Sequence, residues 1–323
     1  MRRHRTATGI LLTVGALLTS ALSATAAAAP APAPGQDTAA PSARSVTAAE
    51  QHRARAFWTP DRMRSATPLD LLLTPQALKK LKAPRPGGGT TTVAPTAFPQ
   101  AGGSWTGGGA VVKTSGRVFF SFQGRTASCS GNAVTSQNAS TVITAGHCVK
   151  YQGSWHTNWV FVPAYDNGQA PYGQWTASKT LTTPQWEASE DINHDIGAAV
   201  VAPLNGQRLT AVTGAQGIQF NGGYNKPMYA FGFPAASPYD GSKLVYCSGN
   251  SSKDWLFSQD HSLGCNMTGG SSGGPWFTGF SEATGTGLQV SVNSFGYTFL
   301  PNRMFGPYFG NEAKALYDKA QVS

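Results

Sequence analysis

Met267–Trp276 reads MTGGSSGGPW, four glycines and two serines between apolar residues near the end of a 323-residue chain. Glycine's conformational freedom serves either a flexible linker or a tight turn that presents one serine for chemistry. A linker is not followed at once by Pro275-Trp276-Phe277 inside a run of strand-forming residues. The stretch therefore reads as a built turn, and Ser271 or Ser272 becomes a candidate nucleophile. A serine hydroxyl is a weak nucleophile at neutral pH. It needs a base, and the base needs a partner that orients it and stabilises its charged form.

The rest of the chain supplies both. Thr144–Cys148, TAGHC, ends a β-branched run and sets His147 beside Cys148. Asn193–Val201, NHDIGAAVV, places Asp195 at the mouth of an apolar strand, where a carboxylate needs a hydrogen-bond donor such as an imidazole N–H. Glu190 and Asp191 lie outside that run and read as solvated acids. His156, His194 and His261 read as lacking a comparable apolar context. The turn glycines gain a purpose here, because acyl transfer makes the carbonyl oxygen negative and backbone N–H groups must point at it. A Gly-x-Ser turn aims the N–H groups of Gly270 and Ser272 at one point.

Chain order selects among the known triad arrangements. The Gly-x-Ser-x-Gly elbow of α/β-hydrolases is followed by its acid and histidine, and no histidine follows Ser272. An acid-first order would draw on Asp37, Asp61 or Asp70, all ahead of the region of short strands. His147, Asp195, Ser272 is the order left.

Around these residues the chain divides by composition. Arg2, Arg3 and Arg5, the apolar stretch Ile10–Leu22 and the small residues that follow read as a signal peptide over residues 1–29. Residues 30–103 are rich in Ala, Pro, Gly and Thr. They read as a largely disordered propeptide and linker, with a brief helical pattern in TPQALKKLK and a stretch after Phe57 that folds only against something else. From Trp105, runs such as RVFFSF, WVFVPAY and MYAFGFP alternate with Gly, Pro, Asn and Ser, the pattern of an all-β domain. Leu288, Val290 and Val292 share one strand face. GNEAKALYDKA closes the chain as a helix, with Asn311 as N-cap and Ala313, Leu316, Tyr317 and Ala320 on its buried face.

The net charge of +9 suggests nucleic acid until its distribution is read. Residues 1–103 carry 12 Lys and Arg against 4 acids, and residues 104–323 carry 12 against 11. The strand-rich part has no basic stripe for phosphates, and nucleic-acid binding drops out. Cys129, Cys148, Cys247 and Cys265 form two local pairs, which in an exported chain read as disulfides. Three pairings are open. Local pairing closes loops of about 20 residues, each contributing on the order of 3 kcal/mol. No Cys-x-x-Cys spacing or acidic loop points to a metal, calcium included, and no cofactor is expected.

TAGHC, DIG before an apolar strand, and GGSSGGP together resemble the three catalytic signatures of the chymotrypsin-like (trypsin superfamily) serine proteases, nearest to secreted bacterial trypsin-like and glutamyl-endopeptidase-like members. The similarity runs from about Val118 to the terminal helix. It implies an all-β fold of two six-stranded antiparallel barrels, residues 104–205 and 206–310, followed by a helix over 311–321. It also implies His147 as general base, Asp195 as its orienter, Ser272 as nucleophile, and Gly270 and Ser272 as the oxyanion donors. Asn266, Asn293, Ser294 and Gly296 would face the substrate. Ser271 stands where an Asp usually precedes the nucleophile, so the ion pair that Asp makes with a new N-terminus cannot form. Activation must then work otherwise, as by release of a blocked cleft. Asn266 stands where Arg/Lys-specific enzymes carry Asp, and Asn293 where Glu-specific ones carry His, so neither preference is implied. The expected product is a monomeric, secreted, extracellular endopeptidase, without stable membrane association, whose partners are a protein or peptide substrate and its own propeptide. A protease-like binding module and an esterase with the same triad are the competing readings.

Overall fold

The computed structural model describes residues 39–70, 72–73 and 100–323. The signal segment, the helical pattern of TPQALKKLK and residues 84–99 of the linker lie outside the described residues. Residues 39–70 are not disordered as their composition suggests. They form β1 (Ser42–Ser45), α1 (Ala48–Phe57), α2 (Pro60–Arg64) and β2 (Thr67–Pro68), with β3 (Leu72–Leu73) just beyond. Local chemistry starts both helices. Thr47 caps α1 through a reciprocal bond with Glu50, and Thr59 caps α2 ahead of Pro60 in its first turn. Tertiary burial holds them: Ala54, Trp58, Met63 and Ala66 pack in one cluster with Phe119, Val160 and Val162. A fully buried side chain such as Met63 is worth roughly 1.5–3 kcal/mol, which offsets the ordering cost that composition alone would leave unmet.

β4 (Gln100–Ser104) pairs antiparallel with a later strand, so a domain boundary at residue 104 falls at the end of a strand. Next come α3 (Ala110–Thr114), β5 (Ser115–Phe122), β6 (Arg125–Ala133), β7 (Thr141–Thr144), the small hairpin β8 (Lys150–Tyr151) and β9 (Ser154–Trp155), β10 (Thr157–Pro163), β11 (Trp175–Thr182), α4 (Pro184–Ser189) and β12 (Gly197–Val201). Strands β11-β10-β5-β6-β7-β12 close on themselves through β11–β12 pairing, giving a six-stranded antiparallel barrel without free edges. Its strands are apolar on both faces for a reason. Val118, Phe120 and Phe161 fill the barrel, while Phe119, Val160 and Val162 point outward under α1 and α2. β1 adds to β11, and β2 lies parallel to β6.

The second half holds α5 (Leu209–Thr213), β13 (Gly217–Ile218), β14 (Pro227–Gly232), β15 (Val245–Asn250), β16 (Ser252–Lys253), β17 (His261–Gly264), β18 (Pro275–Ser281), β19 (Thr286–Val292), β20 (Phe295–Tyr297), β21 (Leu300–Gly306) and α6 (Asn311–Gln321). It is organised as two sheets, β13-β19-β18-β14-β15-β4 and β16-β17-β21-β20-β3. The outer strand of each, β4 and β3, comes from upstream of residue 105. On β19 the apolar face is buried at Val290 and Val292, whereas Leu288 is 41% exposed. The terminal helix spans Asn311–Gln321 as expected, but its N-cap is Gly310, and Asn311 is instead the first helical residue, its Oδ1 accepting from Asn221. Ala313, Leu316 and Ala320 dock on the closed barrel, and half-buried Tyr317 donates to Thr135 O.

Candidate active site

β7 ends at Thr144, and the chain turns through Gly146–Cys148 in a single 3-10 turn that carries His147 into the interior, fully buried. Gly146 is required by proximity, since a Cβ there would stand 2.8 Å from the Trp186 ring and 3.0 Å from Asp195 Oδ1. The Cys129–Cys148 disulfide ties this turn to β6, and Cys247–Cys265 ties β15 to the segment holding Asn266. Local pairing is thus the one adopted.

Asp195 sits on the last turn before β12, also fully buried. Its Oδ1 accepts from His147 N at 2.7 Å, and its Oδ2 lies 2.7 Å from His147 Nδ1 and accepts from Ser294 Oγ at 2.6 Å. Three contacts satisfy a carboxylate that would otherwise be costly to bury. They place the ring proton on Nδ1, leaving Nε2 as the basic nitrogen. That Nε2 is buried and has no hydrogen-bond partner among the described residues.

Ser272 occupies the turn between Met267 and β18. Ser272 O accepts from Ser130 N at 2.7 Å, and Gly273 N donates to Asn293 O at 2.7 Å, so the turn is pinned to both halves of the molecule. Gly273 adopts φ +81°, and a Cβ there would lie 2.1 Å from Thr144 Oγ1. Ser271 directs its hydroxyl to Thr268 O at 2.7 Å, and Ser130 Oγ donates to Gly270 O at 2.9 Å. Neutral hydrogen bonds therefore hold the turn where an ion pair from Ser271 is impossible.

The cleft is filled by the chain itself. Leu69 N donates to Ser128 O at 3.0 Å, and Leu69 O accepts from Gly270 N at 3.0 Å. Ser272 Oγ is turned toward the same oxygen at 3.5 Å. Beyond it, β3 runs parallel to β20, with Leu72 opposite Gly296.

The structure brings His147, Asp195, Ser272, Gly270, Ser294 and Gly296 to one cleft, and separates Asn293 from it. Asn293 is fully buried behind the turn. Its Nδ2 donates to Phe231 O and Ser271 O, and its Oδ1 accepts from Trp276 Nε1 at 2.7 Å. No polar atom of its side chain is left for a substrate, so it is scaffolding. Asn266 is half-buried. Tyr239 OH donates to its Oδ1 at 2.6 Å, and its N–H donates to Ala101 O on β4.

His156 is a residue the sequence reading passed over. It is buried, stacked on Phe120 at 4.1 Å, and its Nε2 donates to His147 O at 2.8 Å. Burial pushes its pKa down to about 3, so it holds the His147 turn as a neutral ring. His261 is likewise buried and lowered to about 4. The signal for His156 was the apolar run Trp159–Val162 that begins three residues after it.

Among the described residues, one group of three candidate metal ligands lies close together, Cys129, His147 and Cys148. It does not fit a metal ion, because the two sulfurs are bonded to each other and offer no thiolate.

A buried His–Asp pair beside a glycine-bounded serine, held between a closed barrel and a second β unit, defines the class of chymotrypsin-like serine proteases. Comparison with known proteins agrees. The protease Anisep of Arthrobacter nicotinovorans is 45% identical, with a TM-score of 0.62 over 65% of this chain and 96% of its own. The thermostable serine protease AL20 of an extremophilic microorganism is 42% identical, with a TM-score of 0.63 over 66% and 99%. A Glu endopeptidase shares the fold at 14% identity and a TM-score of 0.55. No protein-family model matches. A curated relative, an extracellular metalloprotease of Bacillus subtilis, is 35% identical over 71 residues, 22% of the length of each protein. The chain belongs to the chymotrypsin-like serine protease family, alongside Anisep and AL20.

Proposed function

We propose that the chain is a serine endopeptidase made as a secreted precursor, with residues 39–73 acting as its own inhibitory propeptide. The observation that carries the reading is the pair of 2.7 Å contacts from His147 N and Nδ1 to the two oxygens of Asp195, with Ser294 as a third donor.

In this reading Ser272 Oγ attacks the scissile carbonyl carbon while His147 Nε2 takes its proton. The oxygen becomes an anion facing the N–H groups of Gly270 and Ser272, and each such donor is worth about 100- to 1000-fold in rate. His147 returns the proton to the leaving amine as the C–N bond breaks. Water then attacks the acyl ester and gives a proton to Nε2, which passes it to Ser272 Oγ as the acyl C–Oγ bond breaks, releasing the acid and regenerating the serine. Asp195 holds the tautomer that makes both transfers possible. The uncharged Asn266–Tyr239 pair would favour a neutral residue before the scissile bond over Arg or Lys.

The test is hydrolysis of an unstructured protein such as reduced casein by the secreted chain. Wild type should generate new peptide amines, and His147→Ala and Ser272→Ala should generate none while keeping the far-UV spectrum of the fold. Retained hydrolysis in either variant would defeat the assignment.

A further inference from the structure

We propose that Thr67–Asp70 and Leu72–Leu73 lie in the cleft in the direction opposite to a substrate, so the precursor is blocked by a segment it does not cut. This rests on the protease reading above and deepens it by naming the inhibitor and its polarity.

The polarity follows from which side of the reacting carbonyl each flank occupies. Leu69 O lies against Gly270 N, where a scissile carbonyl belongs. The residues before it, Thr67 and Pro68, lie parallel to Ala127 and Ser128 of β6. Leu69 itself packs on the core cluster containing Cys129 and Cys148. That wall is the His147 side, because the Cys129–Cys148 disulfide joins β6 to the residue after His147. The residues after Leu69 go the other way. Asp70 sits against Gly269, and Leu72 and Leu73 run along Gly296 and Tyr297 of β20.

A productive substrate must be arranged the other way round. Its leaving amine takes a proton from His147 Nε2, so the residue after the scissile carbonyl has to lie on the β6 and disulfide side. Its acyl half then lies on β20 and ends at Ser272. Ser294, which is bonded to Asp195, marks the end of β20 nearest the triad. An acyl chain whose carboxyl end reaches Ser272 therefore runs from Tyr297 toward Ser294, antiparallel to β20. The observed segment starts at the triad and runs away from it, parallel to β20. The amide nitrogen of the Leu69–Asp70 bond faces the β20 side, away from its only proton donor. Attack by Ser272 would have no route to expel it. The same two strand edges thus accept a peptide in either direction, and one direction is inhibitory.

The test uses the intact full chain. Wild type, Leu69→Pro (no N–H for Ser128 O) and Leu69→Asp (a carboxylate against the apolar cluster) are exposed to a fluorophosphonate. Mass spectrometry follows the adduct on Ser272 and every cleaved bond. We expect either variant to label about tenfold faster than wild type, the loss of roughly one good hydrogen bond or apolar contact. We expect the Leu69–Asp70 bond to stay whole in wild type. Equal labelling in all three chains would overturn the inhibitory contact alone. First-order scission of Leu69–Asp70 in wild type, absent from Ser272→Ala, would overturn the reversed direction. No adduct on Ser272 in any chain would count against this inference and the protease reading together.

Discussion

The main-chain N–H and the ring Nδ1 of His147 both end on Asp195, each at 2.7 Å and on different oxygens. One carboxylate thereby fixes the position of the backbone turn and the tautomer of the ring. Asp195→Asn can accept from only one of them, and its amide would favour the wrong tautomer. We expect kcat to fall by about four orders of magnitude with little change in KM, measured by steady-state hydrolysis of a chromogenic peptide.

Ser294 adds the third bond to Asp195 at 2.6 Å. Its removal leaves the carboxylate still held by His147. Ser294→Ala should lower kcat by about tenfold, the worth of one hydrogen bond to a charged group. A loss as large as that of Asp195→Asn would show that the serine does more than orient.

His156 and His261 predict how stability depends on pH. Burial lowers them to about 3 and about 4, from 6.5 in the unfolded chain. The unfolded state therefore binds more protons than the folded one below about pH 6.5. Their contribution is complete above that pH and is lost as pH falls toward about 4 for His261 and about 3 for His156. Each should add a slope of about 1.4 kcal/mol per pH unit in the middle of that window. His156→Phe keeps the stack on Phe120 and removes the titration, so its unfolding curves should show a shallower acid slope than wild type.

Ser271 sits fully enclosed with its hydroxyl on Thr268 O. Ser271→Ala should cost about 1 kcal/mol. Ser271→Asp would bury a carboxylate against a carbonyl and should cost several kcal/mol. Denaturant melts of the two variants check the order, and a stable Ser271→Asp chain would mean that a cation reaches the turn.

Trp58 ties the upstream helices to the barrel. Its ring packs on Phe119 at 5.3 Å, and its Nε1 donates to Asn158 O at 2.6 Å. Trp58→Ala should cost about 3–5 kcal/mol of that docking. Limited proteolysis should then cut within residues 39–70 at rates far above wild type.

His147, Asp195 and Ser272 could be singled out together in the sequence because each lies at a strand end or turn, and the fold brings them to one place. The cysteines were legible from local spacing. What stayed hidden depended on contacts between distant segments. Asn293 looked like a cleft residue from its place beside Ser294, yet its amide is consumed by Phe231, Ser271 and Trp276. The order in residues 39–70 had two local signs, the Thr47–Glu50 capping box and Thr59 ahead of Pro60. Its larger cause was the outward face of β5 and β10, masked in RVFFSF and WVFV because both faces of those strands are apolar. A blocked cleft was expected in outline from Ser271 standing where an Asp is usual, but the residues that fill it carried no signature of their own. Leu69 contributes only its backbone N–H and carbonyl to the polar contacts there.

The most direct measurement is the site of fluorophosphonate labelling on the full chain carrying Leu69→Pro, located by peptide mapping. The account predicts an adduct on Ser272 that disappears when His147→Ala is added. An adduct elsewhere, or one on Ser272 that survives His147→Ala, would contradict it.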